Sequence, residues 1–338
     1  MAHAACVDTS PSIAGYTTRI ALLGMLLLSP VKVLAEWYQQ DAGIMGTAIH
    51  VELWHEDPRQ GAILTGAVID EMHRIDILMS TYKPDSELSR VNAQAANGPV
   101  KVSDELLGLI VRALEYSVIT SGAFDITYAS AGQYYDFRKG RRPSDKQLER
   151  ALPAIDYRHV IVDRDNATIA FTQAGVRIDL GGIAKGYAVD RSIQILQQAG
   201  VHNALVSAGG DTRVIGKRWN RSWKIGIRDP RKQGGVVTMI PLQDSAISTS
   251  GDYERYFEED GERYHHILNP GTGKSTHTIH SSSIIGGKAI DTDALSTSVF
   301  VLGVKRGLAL IDTLPDTEAV IIDGEGKMHF SSGLARLQ

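Results

Sequence analysis

The stretch Asp179-Leu-Gly-Gly-Ile-Ala-Lys-Gly-Tyr-Ala-Val-Asp190 constrains this chain more than any other. An apolar, strand-like run at 176–180 ends in two glycines. A helical pattern then begins near Ala184 and carries Ile193 and Leu196 towards Gly200. The expected structure is a strand, a glycine turn and a helix N-terminus with Lys185 at its mouth. Backbone N–H groups and the positive end of a helix favour an anion there, and glycine lets a ligand come close. The residues match neither GxxxxGK[ST] nor GxGxxG, so this is neither of the familiar phosphate loops. Lys185 either pairs with a phosphate or is a solvated surface lysine.

A chain of 338 residues can bury a large core, in one large domain or two lobes. Its 35 Lys and Arg against 39 Asp and Glu give a net charge of −4. No basic stripe interleaved with aromatics appears, so nucleic acid is not expected as a partner. The single cysteine, Cys6, rules out an internal disulfide framework or a thiolate metal site. Arg19 leads into a short apolar run at 20–28, and a small residue follows at Ala35. The run is too short for a stable membrane span, and the pattern reads as a signal peptide over 1–35, cleaved before Glu36. The alternative is a buried core helix. Cys6 precedes the apolar run, so it is not a lipid-attachment site.

Alternation predicts a strand at 48–54, and an apolar face predicts a helix over 59–80 after Pro58. Ser103 is the expected N-cap of a helix ending at Gly122. Residues 132–150 read as a polar surface excursion. Strands are expected at 159–162, 168–171, 204–207, 212–215, 223–227, 236–242, 282–285 and 319–322, with a hairpin turn at Asp260-Gly261. Helices are expected from Asp291 through Leu302 and over 305–314. The elements lack a strict βαβ rhythm, which favours α+β over a doubly wound parallel sheet.

Asp293 and Thr297 are four residues apart and share one helix face. They either hold a hard cation such as Mg²⁺, or Asp291 or Asp293 simply caps the helix. Gly209-Gly210-Asp211 is either a bare hairpin turn or a ligand-lining loop. His265 and His266 fall in a probable strand and face opposite sides, one a candidate base and the other a solvated edge residue. No HExxH or Cys/His cluster supports zinc, and 248–250 fits no nucleophile elbow.

Taken together, these stretches resemble the ApbE family of FAD:protein FMN transferases. The matching pieces are Met45-Gly-Thr47, Ser80-Thr-Tyr82, Ser121-Gly-Ala-Phe-Asp125, 179–187, Ala208-Gly-Gly-Asp211, 248–253, 263–267, Asn269-Pro-x-Thr-Gly273 and Asp293-Ala-Leu-Ser-Thr297. Each is weak alone, but they stand in the family's order over nearly the whole chain after 35. The resemblance implies an α+β, T-fold-related architecture of mixed sheets flanked by helices, with two lobes and FAD in the cleft between them. It implies one transferase domain over 36–338, located in the bacterial periplasm or held at the inner membrane by an uncleaved signal.

The implied reaction cuts FAD at its pyrophosphate with Mg²⁺ and moves FMN to a Ser or Thr hydroxyl of an exported or membrane flavoprotein, releasing AMP. FAD hydrolysis to FMN and AMP, or flavin binding without turnover, are the alternatives. By resemblance, Asp293, Thr297 and the Gly182 carbonyl hold the metal, with Ser296 assisting. Met45, Tyr82, Ala123, Phe124, Asp125, Asp179, Lys185 and Ile267 map to FAD contacts. His266 is the candidate base. Two departures stand out: after Asp125 the chain reads Ile-Thr-Tyr-Ala-Ser-Ala-Gly-Gln-Tyr-Tyr-Asp-Phe137 where the family has a proline and a Leu-Trp-Gly-Phe-like run, and the lipid-attachment cysteine of many members is missing.

Overall fold

A computed structural model describes residues 36–232 and 234–336. The signal-peptide reading, with Cys6, lies outside the described residues. Eight strands form one sheet, and they lie side by side in the order in which the chain makes them. They are Glu36–Ile44, Thr47–His55, Ala204–Ala208, Asp211–Ile215, Ser245–Gly251, Ile279–Gly286, Glu318–Asp323 and Met328–Phe330. Every pairing between them is antiparallel. The α+β expectation holds, and the parallel alternative is excluded.

Side-chain alternation explains the two faces. Ala204, Val206, Ala246, Ala319 and Ile321 face a core shared with the long helices Pro58–Met79, Ala184–Gln198 and Ala289–Ile311. Leu205, Val214, Ile247 and Val320 face the other way, into a smaller cluster with Trp223 and Ile227. The antiparallel pair Trp223–Arg228 and Val236–Leu242 supplies the cover on that side. A separate three-stranded sheet joins Val100–Lys101, Val160–Asp163 and Thr168–Phe171.

Several local expectations change. The run 176–180 forms no strand. Asn92 takes the place of a partner strand: its amide donates to the Ile178 carbonyl and its carbonyl accepts from the Ile178 N–H, both at 2.8 Å. The 132–150 excursion holds a helix, Asp145–Ala151, started by a reciprocal capping box between Ser144 and Gln147. The two helices expected after residue 291 run nearly end to end, interrupted at Gly303, where φ is 75° and ψ 178°.

Neither Asp291 nor Asp293 caps the first of these helices. It starts at Ala289, and the cap comes from a distance. Asp190 accepts from the N–H groups of Ala289 (3.0 Å) and Ile290 (2.9 Å), while Arg213 pairs with it at 2.6 Å. Asp291 instead accepts from Arg112 at 2.8 Å. The last residue of the 179–190 stretch thus fixes the helix that carries Asp293.

Candidate active site

The N-terminus of helix Ala184–Gln198 has no side-chain cap. Its anion is the chain's own Asp293, whose carboxylate accepts from the Gly186 N–H at 3.0 Å. This approach depends on Gly186. A Cβ there would stand 2.8 Å from Asp293 Cβ and would collide with the Ala289 carbonyl. The Lys185 ammonium lies 3.2 Å from Asp293 Oδ1 and 2.8 Å from Asp211 Oδ2, and donates to the Gly181 carbonyl at 3.1 Å.

Lys185 is therefore not a solvated surface lysine. Burial works against its charge, but Asp211 and Asp293 outweigh burial and hold it protonated. Burial and the Asp211 charge push the Asp293 carboxyl up to about 7, against Lys185 and the Gly186 N–H. Two buried carboxylates share one ammonium, so the cluster carries excess negative charge when both are ionised.

Hydroxyls adjoin this cluster. Ser250 Oγ lies 2.9 Å from Ser296 Oγ and 3.3 Å from Thr297 Oγ1. Ser296 is fully buried and donates to the Asp293 carbonyl of its own helix at 2.9 Å. Gly182 packs against Thr297 and Phe124: a Cβ there would stand 3.3 Å from Thr297 Oγ1 and 3.1 Å from the Phe124 ring. Asp179 accepts from Tyr128 OH (2.9 Å), the Gly181 N–H (2.7 Å) and Thr81 Oγ1 (2.8 Å).

Lys185, Gly182, Asp293, Ser296 and Thr297 thus come together, with Phe124 touching them. The other positions lie around them or serve the fold. Asp125 is buried and accepts from the Thr127 N–H, Thr127 Oγ1 and the Tyr157 N–H, so its oxygens are used in shaping the segment that follows. Ala123 and Ile267 are buried. Met45 sits in a left-handed hairpin turn, in a shallow cleft with His73, Lys83 and Arg138. Tyr82 is 87% exposed, its ring free to cover a ligand.

The histidine pair needs correction, because neither residue is a solvated edge position. His265 is 1% exposed and serves the fold. Its Nε2–H donates to the Thr276 carbonyl, its Nδ1 accepts from the Ile267 N–H at 3.3 Å, and its ring meets Phe300 edge-on. His266 follows the strand Glu262–His265 rather than belonging to it. Its Nδ1 is buried without a hydrogen-bond partner. Burial, then the charges of Arg255, His265 and Lys185, push it down to about 3, so the ring is neutral.

Burial pushes His265 down to about 4, against its bond to the Thr276 carbonyl. A histidine depressed on folding stays neutral in the native state while the unfolded chain takes up a proton. Stability is therefore lost as pH falls from the unfolded value of about 6.5 towards 4. His265 alone should remove about 2.4 kcal/mol between about pH 7 and about pH 4.5. Urea unfolding of His265→Gln should show a flatter pH dependence over this window, and a dependence equal to that of the parent would contradict the assignment.

Sequence reading did not place Asp211, Ser250, Tyr128 or Arg255 in the site. Asp211 stood at the end of the quoted Gly-Gly turn. That turn is a two-residue hairpin on Gly209 and Gly210, and it brings Asp211 to face Lys185. Arg255 lies near the 44–47 turn, accepts from the His266 N–H through its carbonyl, and has no carboxylate partner among the described residues.

Comparison with known proteins identifies the fold. The flavin transferase ApbE of Vibrio cholerae superposes with a TM-score of 0.80 at 28% identity, covering 89% of this chain and 99% of that one. The ApbE protein of Thermotoga maritima gives a TM-score of 0.82 at 35% identity, covering 89% and 99%. The fold is that of the flavin transferase class. The ApbE family model matches residues 45–321, and the chain belongs to that family. Among its relatives, the FAD:protein FMN transferase of Treponema pallidum is 33% identical over 88% of this chain and 87% of its own length. That of Vibrio cholerae is 32% identical over 93% and 96%.

Proposed function

We infer that this protein uses Mg²⁺ to transfer FMN from FAD to a Ser or Thr hydroxyl of an exported or membrane flavoprotein, releasing AMP. The observation that carries the reading is the buried Asp293, with excess negative charge around Lys185 and hydroxyls from Ser250, Ser296 and Thr297 beside it. Among the described residues no group of three or more His, Cys, Asp or Glu forms a metal cluster. That composition fits Mg²⁺, which is commonly held by one or two carboxylates together with other oxygens and substrate phosphates. Asp293 and Thr297 would hold it, with the Gly182 carbonyl and Ser296 adjoining. Held there, Mg²⁺ would supply positive charge against the pyrophosphate oxygens.

The protein's own groups then have defined tasks. Lys185 supplies a positive charge for a phosphate oxygen. Arg255, with no carboxylate partner among the described residues, offers a second. The acceptor hydroxyl oxygen bonds to the FMN phosphorus, and the bond from that phosphorus to the bridging oxygen breaks. AMP leaves with the bridging oxygen, and the hydroxyl proton passes to neutral His266. Burial, and then Arg255 and Lys185, depress its basicity in the free protein, and a pyrophosphate bound nearby would oppose the charge part of that depression. The signal reading over 1–35 places the reaction in the periplasm.

The test is incubation with FAD, Mg²⁺ and a candidate acceptor domain, followed by intact mass. A gain equal to FMN on the acceptor supports transfer. AMP and free FMN without that gain point to hydrolysis, and retained FAD without products points to storage. His266→Ala should slow transfer by about a hundredfold or more, the usual worth of a positioned base, with FAD affinity nearly unchanged. Lost FAD binding with normal turnover at saturating FAD would remove the base assignment.

A further inference from the structure

The end of the large sheet opposite the site carries a surface that the transferase reading does not use. Arg218 and Arg221 exchange two backbone hydrogen bonds, both 2.9 Å, closing a two-residue hairpin on Trp219-Asn220. Both turn residues are left-handed, with φ of 49° and 60°. Such turns normally take Asn or Gly, and a bulky residue with positive φ is an outlier. Here the first position holds tryptophan, and 70% of it is exposed. Its ring meets Trp37, whose centroid is 5.7 Å away, and Trp37 in turn packs edge-on against Trp223.

Unpaired basic side chains stand around this indole. Lys217, Arg221 and Lys224 are exposed and form no ion pair among the described residues. Arg218 is committed to Glu52 at 2.8 Å. The carboxylates at this end are Glu36, Glu52 under Arg218, Asp244, which accepts from the Gly216 N–H at 2.7 Å, and Glu56 and Asp57, which follow His55 opposite Glu36.

Strand register fixes where the hairpin stands. Strand Asp211–Ile215 begins at Asp211 in the site, and its far end, Ile215, pairs with Ala204. Ala204 is opposite Leu53, and Leu53 is opposite Tyr38. The hairpin and the first described strand residues, Glu36 and Trp37, therefore share the end away from the site, about 17 Å along the strand from Asp211. The apolar run of 20–28 precedes Glu36 by a few residues in the sequence.

We propose that this end, with Trp219 at the tip and Lys217, Arg221 and Lys224 around it, lies against an anionic lipid bilayer. Tryptophan favours the bilayer interface, and basic side chains favour anionic head groups. This orientation leaves the site facing away from the bilayer, open to an acceptor. It rests on the hairpin and the register, not on the transferase reading.

The test uses the full chain and vesicles of phosphatidylcholine brominated in its acyl chains, with and without phosphatidylglycerol. Tryptophan quenching should appear with the anionic vesicles and fall sharply in Trp219→Phe. Each basic residue near the surface contributes about fivefold, so Lys217→Ala with Arg221→Ala should weaken that quenching's vesicle dependence about 25-fold. Equal quenching on neutral and anionic vesicles would overturn the proposal. So would partition that survives these substitutions without Trp219 quenching, because the chain would then be held elsewhere.

Discussion

With Asp293 as the proposed Mg²⁺ ligand, Asp293→Ala is expected to lower FMN transfer by about a thousandfold or more, because a metal ligand contributes several kcal/mol to stabilising developing charge. The structure adds that stability should change little. The substitution removes the acceptor of the Gly186 N–H and one partner of Lys185. It also removes one of two carboxylates that repel each other across a single ammonium, leaving Lys185 paired with Asp211. Removing one member of a buried ion pair is costly when the other is left alone, and here it is not left alone. Activity and Mg²⁺ affinity should therefore collapse while the urea midpoint stays close to that of the parent. Full transfer in the variant would sink the metal assignment. A large fall in stability would mean that Asp293 is chiefly structural.

Which parts of this site could be read in advance follows from how far apart the interacting groups are in the chain. The strand Thr47–His55 and the helix Pro58–Met79 were legible because each writes its buried face as a local period. The hairpin at Asp260-Gly261 was legible from its turn residues. Helix Glu87–Gln94 was not, since it buries only Leu88 and Val91 and is otherwise polar. The run 176–180 looked like a strand because of its apolar pattern, yet its partner is the side chain of Asn92, which no periodicity reports.

The candidate site divides in the same way. Lys185 and Asp293 were visible as residues of the right chemistry. Their meeting across 108 positions, and the place of Asp211 beside them, depend on helix packing. The anion at the mouth of the helix was foreseen, but its identity as an internal carboxylate was not. Asp190 was likewise quoted as part of the stretch, while its cap on the helix starting at Ala289 is tertiary.

Gly186→Ala should be the most disruptive single methyl group in the site, costing about 3 kcal/mol of stability, at the upper end of overpacking penalties. The backbone of Gly186 is ordinary helix, so glycine is not required there for its dihedral freedom. What requires it is the crossing of the helices Ala184–Gln198 and Ala289–Ile311, where a Cβ would collide with the Ala289 carbonyl and stand 2.8 Å from Asp293 Cβ. Neither obstacle is the free end of a flexible side chain, so the helices themselves must move apart. Such a shift would lengthen the Gly186 N–H bond to Asp293 and separate Lys185 from Asp293. It would also disturb the Asp190 cap on Ala289 and Ile290. A displacement of about 1 Å in a positioned site can cost about a hundredfold in rate, so transfer should fall by at least that much under conditions where the variant is still folded. Urea unfolding and transfer on one preparation separate the two effects. Parent-like stability with parent-like transfer would show that the crossing has room the structure does not display, and the close contact would then not be what holds Lys185 and Asp293 together.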